Sequence, residues 1–489
     1  MYRLVVYGLG SIAVISIMLA SFGKLAMSPV SMIISLAILM LSVFSVEWLF
    51  AKIWRTPFNS ESWLITALII FLIFPAPKNV NEAIVTVLVG IISSTSKYLI
   101  AWNGKHIFNP AAFAVAIVGV LNLQITTWWV GSSLLLPFTL LLGLLVVLKI
   151  KRVSMVFTFV IVCIALFLHT FIDIGGNVFL SLQSVIVASP LIFLSTIMLT
   201  EPATMPAGKW QRIVFALLVA VLYAKSWKLG PIAIYPEVAL LLGNVFAFAV
   251  SPKFKTRLRL KEIQKISDQV YNFVFIPDKK FAYTPGQYME WTLPDVPFDG
   301  RGNRRSFTIA SSPTEDVIQL GVKFYKPSST YKYVLSRMQP GDSIYASQLS
   351  GNFTLGSNTN KKLVFIAGGI GVTPFRSMVK YITDMNIKSD IYLIYAVSKP
   401  DELAYANEFL AAKDSGITLI PIVTDMTQDA PGMRTSKIDS KLIESVVPDY
   451  TDRLFYISGP NAMVESTKAA LRSMGVKRTH IKTDYFSGY

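Results

Sequence analysis

The chain has almost no cysteine and very little histidine. Among its 489 residues there is one cysteine, Cys163, and there are three histidines, His106, His169 and His480. A single cysteine excludes an internal disulfide, and an iron–sulfur cluster held by this chain alone would need about four thiolates. A pair of bis-histidine haems at membrane depth would need about four histidines, and only His169 lies plainly inside an apolar run. The chain therefore holds neither kind of redox centre by itself, and no metal site is predicted.

Acidic side chains are also scarce. There are 29 Asp and Glu residues against 45 Lys and Arg residues, which gives a formal net charge of +16. No basic tract with interleaved aromatic residues accompanies this excess, so no nucleic-acid partner is predicted. Hydrophobic residues make up 53% of the chain, and the mean hydropathy is +0.53. This composition is typical of a membrane protein whose positive charges lie in cytoplasmic loops and beside lipid headgroups.

Apolar runs of membrane length fill the first half of the chain. A span needs roughly 20 apolar residues. There are about ten candidate runs of this kind, and two of them are short. They lie near 3–22, 28–51, 62–76, 82–100, 109–124, 129–149, 154–174, 180–200, 211–225 and 234–250. The first run has no small-residue cleavage site after it, which predicts an anchor and not a removed signal peptide.

The distribution of positive charge orients these runs. With the N-terminus in the cytoplasm, the outside loops hold only Lys24, Lys78, Lys225 and Lys228. The inside segments then hold Arg3, Lys52, Arg55, Lys97, Lys105, Lys149, Lys151, Arg152, Lys209 and Arg212. This asymmetry predicts a multi-pass protein of the cell membrane, in contact with the lipid bilayer, whose C-terminal half lies in the cytoplasm.

Two segments of the C-terminal half favour a flavin and a nucleotide. In the first, 304–313, Arg305 can pair with a pyrophosphate through a fork of fixed donors, and Thr308 presents a hydroxyl. Alternation along a strand puts Arg305 and Phe307 on one face, where an aromatic ring can cover a flat ring. The second segment, 368–374, is a glycine-rich turn after an apolar run, which lets backbone N–H groups approach a phosphate. A basic surface strand and a structural turn are the alternatives for each segment alone.

Together these segments resemble the ferredoxin–NADP reductase-like flavoenzymes. The Arg-x-Tyr/Phe-Ser/Thr pattern of that family is matched by 305–308, and its Gly-Gly-x-Gly-x-Thr-Pro pattern by 368–374. A Ser-Gly-Pro turn follows at 458–460, and the end of the chain, 484–489, resembles the aromatic tail that covers the flavin in many members. All of these patterns occur in the family's order between about 255 and 489.

The resemblance implies FAD and a nicotinamide nucleotide as cofactors. Thr308 is the expected donor to flavin N5, and Ser458, where many relatives have Cys, is expected beside the nicotinamide. Ser398 stands where NADPH-selective relatives often have Arg, which favours NADH slightly over NADPH. The residues expected to bind the two cofactors are Arg305, Ser306, Phe307, Thr308, Ser329, Thr330, Gly368, Gly369, Gly371, Thr373, Gly459, Pro460 and Phe486. For Ser329 and Thr330 a helix N-cap is the alternative role, and both roles can hold at once.

The predicted fold is multi-domain. Residues 1–252 form a polytopic α-helical membrane bundle, which is the transmembrane flavin and electron-transfer domain. Short strands at 271–276, 287–292, 305–310 and 318–324 favour an antiparallel β-barrel that binds FAD over 253–357. Strands at 362–367, 391–396, 418–423 and 454–457 alternate with helices and favour an α/β parallel-sheet domain that binds NAD(P)H over 358–489.

Two polar segments interrupt the apolar first half, and together they resemble a second family. Polar residues and Pro at membrane depth are tolerated where protein buries them or where they line a cavity; two ordinary helix-capping turns are the alternative. The B subunit of the sodium-pumping NADH:quinone reductase and the D subunit of the Rnf complex carry a Phe/Leu-Asn-Pro-Ala segment, matched by 108–111. They also carry a Thr-Asp-Pro segment, matched by 200–202 with Glu in place of Asp.

This second resemblance implies a flavin in the membrane half, with one departure. Relatives bind FMN covalently to the Thr of a Ser/Thr-Gly-Ala-Thr segment, and the chain has no such segment; the expected region is 124–129. A second flavin, FMN or riboflavin, held without a covalent bond is therefore the expectation. Its candidate contacts are Lys105, Asn109, Thr200, Glu201 and Thr204.

The predicted function is that of an NAD(P)H-dependent flavin oxidoreductase. NAD(P)H gives a hydride to FAD on the cytoplasmic side, and electrons pass through the membrane domain to a quinone or to an extracytoplasmic acceptor, for example a flavinylated protein. One alternative is a membrane-anchored NAD(P)H:quinone reductase without transmembrane electron transfer. Another is a redox-driven cation pump, which the few acidic residues in the apolar runs disfavour.

Overall fold

The computed structural model describes residues 2–54, 58, 60–102, 105–173, 175, 177–187, 189–225, 227–229, 232–251, 255–294, 303–324, 329–355, 362–425 and 433–486. The chain divides into two compact units, Met1–Phe254 and Lys255–Tyr489. The predicted domain boundaries at 252–253 and 357–358, Arg55 and the last three residues of the aromatic tail lie outside the described residues.

The first unit is helical. Its helices are α1 (Tyr2–Ser21), α2 (Pro29–Ile53), α3 (Ser60–Ile73), α4 (Val80–Leu99), α5 (Pro110–Val120), α6 (Leu136–Ile150), α7 (Val153–Asp173), α8 (Val178–Val187), α9 (Leu191–Phe193), which continues as a π-helix (Leu194–Met198), α10 (Lys209–Ala224) and α11 (Pro236–Val250). Two short hairpins accompany them, β1 (Ala101–Trp102) with β2 (Lys105–His106) and β3 (Lys228–Leu229) with β4 (Ile232–Ala233). Each predicted apolar run overlaps a helix of this unit.

Some of these helices are long enough to cross a membrane and some are shorter. Among the described residues, α1, α2, α4 and α7 are long and apolar enough to span, and α8 with Leu191–Met198, bent by 54°, makes a fifth if the pair counts as one span. The outward faces of both the long and the shorter helices carry large apolar side chains, for example Leu41 of α2, Leu141 of α6 and Phe157 of α7, which are 68%, 60% and 63% exposed. Apolar side chains turned outward on several helices are the arrangement that a lipid environment favours.

The second unit begins with an antiparallel sheet. Its strands are β5 (Lys255–Lys265), β6 (Val270–Pro277), β7 (Tyr288–Thr292), β8 (Arg304–Thr308), β9 (Ile318–Lys323) and β10 (Ser343–Ser350), and α12 (Thr330–Ser336) precedes β10. The strand order is β8-β7-β10-β5-β6-β9, and all neighbours are antiparallel. Along β5, buried Leu258 and Leu260 alternate with exposed Arg257 and Arg259, because one face of the strand packs inward and the other meets water.

A parallel sheet follows. Its elements are β11 (Lys362–Gly368), α13 (Thr373–Asp384), β12 (Asp390–Val397), α14 (Ala406–Ala411), β13 (Ile417–Val423), β14 (Arg434–Thr435), α15 (Ser440–Val446), β15 (Leu454–Pro460), α16 (Asn461–Ser473) and β16 (Ile481–Phe486). The order is β14-β13-β12-β11-β15-β16 with all neighbours parallel. Phe365 and Val364 of β11 belong to separate apolar clusters on opposite faces, which explains why a covered central strand is apolar at successive positions.

Candidate functional site

The predicted flavin strand β8 turns two of its side chains to one ring. The Arg305 guanidinium carbon lies 5.0 Å from the centre of the Tyr331 ring, and the ring of Phe307 lies 5.9 Å from it. Tyr331 itself is fully buried on α12. The Trp291 indole N–H donates to the Phe307 carbonyl oxygen over 3.1 Å and fixes this part of the strand. Arg305 and Phe307 therefore share a face of the strand, as alternation predicts.

A second cation, Lys332, lies near Arg305. Its ammonium donates to the carbonyl oxygen of Lys323 over 2.7 Å, and only 6% of the residue is exposed. Burial, and next the nearby charge of Arg305, lower the pKa of Lys332 to about 8. Two like charges held together in partial burial favour an anion between or beside them. Sequence analysis missed Lys332, because a single lysine in a helical segment carries no signal of burial.

Ser329 and Thr330 lie at the start of α12, as predicted. The Ser329 hydroxyl oxygen accepts from the backbone N–H of Lys332 over 3.3 Å, so Ser329 is the N-cap of this short helix. The alternative role proposed for this position is thus present, and it sets the position of Lys332 relative to β8.

The glycine-rich turn after β11 packs directly against the Ser-Gly-Pro turn after β15. A methyl group on Gly371 would come within 2.6 Å of the Ser458 carbonyl oxygen and within 2.7 Å of the Gly459 Cα atom. A methyl group on Gly368 would meet the sulfur of Met463 at 2.4 Å. These glycines therefore allow two backbone turns to approach each other at the carboxyl edge of the parallel sheet, where nucleotides bind in folds of this kind.

Gly369 and Thr373 complete the glycine-rich turn. Gly369 has φ +52°, a conformation that glycine adopts without strain. Thr373 opens α13, is 1% exposed, and its hydroxyl donates to the Ile370 carbonyl oxygen over 3.2 Å. Pro374 occupies the first turn of α13, where a missing N–H costs nothing.

Ser458 is fully buried, and its hydroxyl has no hydrogen-bond partner among the described residues. In the sheet it pairs with Ala367 on one side and Asp484 on the other. A buried hydroxyl without a partner costs about 1–3 kcal/mol, so a group that satisfies it when bound is expected. This orphaned donor and the glycine-lined turns fit a nucleotide cofactor.

The C-terminal strand β16 lies beside the Ser-Gly-Pro turn. Phe486 pairs with Pro460, and Tyr485 pairs with Gly459. The Tyr485 hydroxyl donates to Glu465 on α16 over 2.6 Å, which ties the strand to the sheet's neighbouring helix. The described part of the aromatic tail thus ends at the same edge as the turn.

Two hydrogen bonds join the flavin segment to the nucleotide segment within this unit. The Ser377 hydroxyl donates to the Ser311 carbonyl oxygen over 2.6 Å. Arg376 donates to the Ala310 carbonyl oxygen over 3.2 Å, and its guanidinium pairs with Glu315 and, over 3.0 Å, with Glu408. Arg376 and Ser377 follow the glycine-rich segment directly, and Ala310 and Ser311 follow Thr308. Sequence analysis missed this pairing, since partners more than sixty residues apart leave no local pattern.

In the helical unit, polar side chains gather around Glu201. The Asn109 amide donates to the Glu201 carboxylate over 2.9 Å, and the Thr204 hydroxyl donates to it over 2.8 Å. His106 Nε2 lies 3.4 Å from the other carboxylate oxygen, and Lys105 precedes His106 on β2. Three of the five predicted contacts, Asn109, Glu201 and Thr204, are therefore in direct contact, and His106 joins them. We name Lys105, His106, Asn109, Glu201 and Thr204 the Glu201 cluster.

Thr200 and Asn244 differ from expectation. The Thr200 hydroxyl donates to the Thr196 carbonyl oxygen over 2.6 Å, back to the π-helix that ends at Met198, so the structure does not bring this hydroxyl to Glu201. Asn244 of α11, which sequence analysis missed, accepts from the Asn109 backbone N–H over 2.9 Å and donates to the Thr204 carbonyl oxygen over 3.3 Å. Asn244 therefore locks the two polar segments together.

Comparison with known proteins bears on the C-terminal half. Residues 365–469 match the family described as the oxidoreductase NAD-binding domain. A flavohemoprotein from Bacillus cereus is 25% identical over 251 residues, covering 48% of this chain and 61% of that protein. The glycine betaine monooxygenase reductase subunit from Chromohalobacter salexigens is 26% identical over 234 residues, covering 46% of this chain and 62% of that protein.

Among solved structures, the flavohaem-like FAD/NAD-binding domain of nitric oxide dioxygenase from Vibrio cholerae has a TM-score of 0.43 and 21% identity. The match covers 47% of the present chain and 98% of the Vibrio cholerae domain. The present chain spans about three fifths of the length of the two curated relatives. The prediction of an NAD(P)H-dependent oxidoreductase is confirmed by the family match and by these relatives. The resemblance of residues 1–250 to the sodium-pump and Rnf subunits stays a prediction.

Proposed function

We propose that this protein is a membrane-bound flavin oxidoreductase. It takes a hydride from cytoplasmic NAD(P)H and passes electrons through its helical unit to a quinone or an extracytoplasmic acceptor. The observation that carries the proposal is the occurrence, in one chain, of an oxidoreductase NAD-binding domain and of a helical unit with a partly buried polar cluster around Glu201.

The C-terminal unit supplies the groups that an FAD and a nicotinamide nucleotide need. Arg305 and Lys332 offer positive charge to the FAD diphosphate, and Phe307 offers a ring face to the flavin. Thr308 offers a hydroxyl to flavin N5. When bound, FAD supplies the conversion of a hydride into single electrons.

At the nucleotide edge, the turns around Gly371 and Gly459 let the NAD(P)H backbone approach closely, and Ser458 orients the nicotinamide with its unpartnered hydroxyl. Phe486 beside Pro460 shields this edge from water. Exclusion of water strengthens the electrostatic interactions of such groups with the reacting ring.

The Glu201 cluster is the proposed site of a second flavin, FMN or riboflavin, in the helical unit. Amide, hydroxyl and imidazole groups converge on one carboxylate there, and Lys105 precedes His106 on β2. Polar groups inside a helical membrane unit cost free energy, and where they occur they usually bind a substrate, an ion or a cofactor. Lys105, Asn109 and Thr204 would hold the polar edge of such a ring.

Charged residues near the ends of the long helices support the orientation. Lys97 of α4 pairs with Glu47 of α2 over 2.7 Å, and Arg3 of α1 pairs with Glu61 of α3 over 3.2 Å. Both pairs lie at helix ends that the charge asymmetry assigns to the cytoplasm, which is the side where NAD(P)H is available. The protein is thus proposed to be multi-pass, with the nucleotide-binding unit inside the cell.

The flavin content of the full-length, detergent-purified protein tests this function. Acid release followed by separation should yield FAD and a second flavin in equal amounts. Glu201→Gln should lose the second flavin and keep FAD, whereas Glu61→Gln, a matched change outside the cluster, should keep both. FAD alone in the unaltered protein would remove the resident carrier and select a membrane-anchored quinone reductase.

A further inference from the structure

A cavity of about 340 Å³ opens in the helical unit, away from the Glu201 cluster. Phe167 and Phe171 near the end of α7, Ser184 of α8 and Tyr223 near the end of α10 form its walls, and Tyr235 and Pro236 at the start of α11 close it. None of the predicted site residues lines it.

The cavity and the Glu201 cluster lie at different levels of the same helix. Pro236 lines the cavity, whereas Asn244 of α11 bonds to Asn109. Eight residues of α-helix separate them, which is about 12 Å at about 1.5 Å per residue. The loop after α5 reaches the cavity end as well, because the Trp128 indole donates to Glu237 on the first turn of α11 over 2.9 Å. α5 and α11 therefore run antiparallel between the two sites.

The walls of the cavity are aromatic and well fixed. The rings of Phe167 and Tyr223 lie 5.3 Å apart at 83°, and Phe159 lies parallel to Tyr223 at 6.3 Å. Tyr223 is 8% exposed. Ring faces and edges held in this way offer a flat aromatic or quinoid ligand stacking partners on preformed surfaces.

The polar groups of the cavity are neutral. Hydroxyls of Ser184 and Tyr235 lie among the lining residues, the Ser189 hydroxyl donates to the Val185 carbonyl oxygen, and the described lining contains no Asp, Glu, Lys or Arg. Neutral donors suit the carbonyl oxygens of an uncharged ligand, whereas a nucleotide or a phosphate would need cations. Leu180, one helical turn before Ser184, is 59% exposed and prolongs the cavity mouth with apolar surface.

We propose that this cavity binds the ring of a quinone-class electron acceptor, with the ligand's apolar tail along the outer face of α8. This inference rests on the proposed function and places the exit of electrons about 12 Å along α11 from the level of the Glu201 cluster. The overall step balances. NAD(P)H is oxidised to NAD(P)⁺ with release of two electrons and one proton, and the quinone takes up two electrons and two protons to give the quinol, the second proton coming from water.

A cavity-filling substitution tests the proposal. Ser184→Trp places an indole in the mouth of the cavity, and Gln183→Trp, the neighbouring exposed position outside the lining, is the matched control. Full-length protein in liposomes is assayed with NADH and a decyl-substituted benzoquinone. Ser184→Trp should raise the KM for the quinone about tenfold or more, while the rate of flavin reduction by NADH stays unchanged. Gln183→Trp should behave as the unaltered protein.

A direct label gives a second readout that does not need turnover. An azido-benzoquinone should photolabel peptides from α7 or α10 of the unaltered protein, and the decyl-benzoquinone should prevent this labelling. Labelling elsewhere, labelling displaced equally by a fatty acid, or an unchanged KM in Ser184→Trp would overturn the cavity as the quinone site and leave the proposed function standing. Flavin reduction without any quinone reduction or labelling in the unaltered protein would overturn both the cavity and the quinone as acceptor.

Discussion

The hydroxyl of Ser377 donates a 2.6 Å hydrogen bond to the backbone carbonyl oxygen of Ser311, and both residues are fully buried. Ser311 ends the segment that carries the proposed flavin contacts, and Ser377 lies on the helix that the glycine-rich turn opens. This bond and the bond from Arg376 to the Ala310 carbonyl oxygen thus join the two chemical halves of the C-terminal unit. The rate of transfer between nucleotide and flavin depends on how rigidly these halves are held together.

Ser377→Ala should weaken that joint. The Ser311 carbonyl keeps its hydrogen bond from the Tyr283 hydroxyl, so the loss is about 1 kcal/mol and not the full cost of an unsatisfied group. The melting temperature of the full-length protein, followed by the release of flavin fluorescence, should fall by about 2–4 °C. Ser466→Ala, an exposed serine on α16, should melt as the unaltered protein. Equal melting of both variants would show that the bond contributes nothing to stability.

Gly371→Ala should reduce the affinity for NAD(P)H. The added methyl group would press on the Ser458 carbonyl oxygen at 2.6 Å and would force the two turns apart. The KM for the nucleotide should rise about tenfold or more, which corresponds to about 1.4 kcal/mol. Gly475→Asn is the control, because nothing lies within 4 Å of a Cβ there and Asn tolerates its φ of +86°. An unchanged KM in Gly371→Ala would argue against nucleotide binding at this turn.

Ser458→Ala should slow flavin reduction without lowering the melting temperature. The hydroxyl has no partner among the described residues, so its removal should leave the melting temperature of the flavin-depleted protein unchanged or slightly higher. Stopped-flow reduction of the bound flavin by NADH should slow by about tenfold or more, since a positioned donor is lost. Ser458→Cys keeps a donor of similar size and should retain most of the rate. A slower rate accompanied by a lower melting temperature would indicate a structural role instead.

Thr308→Val should slow the same hydride transfer without releasing FAD. Thr308 is 5% exposed at the end of β8 and pairs with Tyr288 of β7, so a residue of the same shape fits. The loss of its hydroxyl should cost on the order of a hundredfold in the rate of flavin reduction. Thr418→Val, an exposed change on β13, should have no effect on that rate. Full activity of Thr308→Val would remove Thr308 from the catalytic residues.

The affinity for FAD should fall above about pH 8. Burial and Arg305 lower the pKa of Lys332 to about 8 in the protein without flavin, and a bound diphosphate raises it again by favouring the ammonium form. Below about pH 8 the Lys332 ammonium is charged both with and without FAD. Above about pH 8, the binding of FAD is accompanied by protonation of Lys332. The Kd for FAD should therefore rise by up to about tenfold per pH unit until the pKa of Lys332 in the FAD-bound protein is passed.

Titration of the flavin-depleted full-length protein with FAD between pH 7 and 10 measures this dependence. Lys332→Met should bind FAD more weakly at pH 7 and should lose the rise in Kd above pH 8. Lys413→Met, which removes an exposed lysine from the same unit, should keep the profile of the unaltered protein. A rise that persists in Lys332→Met would assign the titration to another group.

Local patterns in the sequence predicted much of the C-terminal unit. The strands predicted at 305–310 and 362–367 appear as Arg304–Thr308 and Lys362–Gly368, because alternation and a continuous apolar run are local signals. The glycine-rich turn was predicted because its glycines follow an apolar run directly, which is also a local signal. Lys332, Arg376 and Ser377 were missed because their roles depend on what lies across the fold, and a sequence carries no local sign of that.

The helical unit shows the same division between local and long-range signals. The apolar runs predicted helices, and Asn109 and Glu201 were singled out because polar residues are rare in such runs. The lengths of the helices were less predictable, since α5, with 11 residues, ends well before its apolar run does. The hydrogen bond of Thr200 was not predictable either, because its hydroxyl donates to the preceding π-helix instead of across the bundle.

Composition and order along the chain thus determined that this protein joins an apolar helical unit to a nucleotide-binding oxidoreductase module. They also excluded an iron–sulfur cluster and a pair of bis-histidine haems held by this chain alone, because it has one cysteine and three histidines. Tertiary structure decided which polar groups meet. It placed Ser458 without a partner against Gly371, gathered Asn109 and Thr204 on Glu201, and left an aromatic cavity beside Tyr223. The physical reason is that apolar periodicity is local, whereas hydrogen bonds and cavities form between segments that only the folded chain brings within a few ångströms of each other.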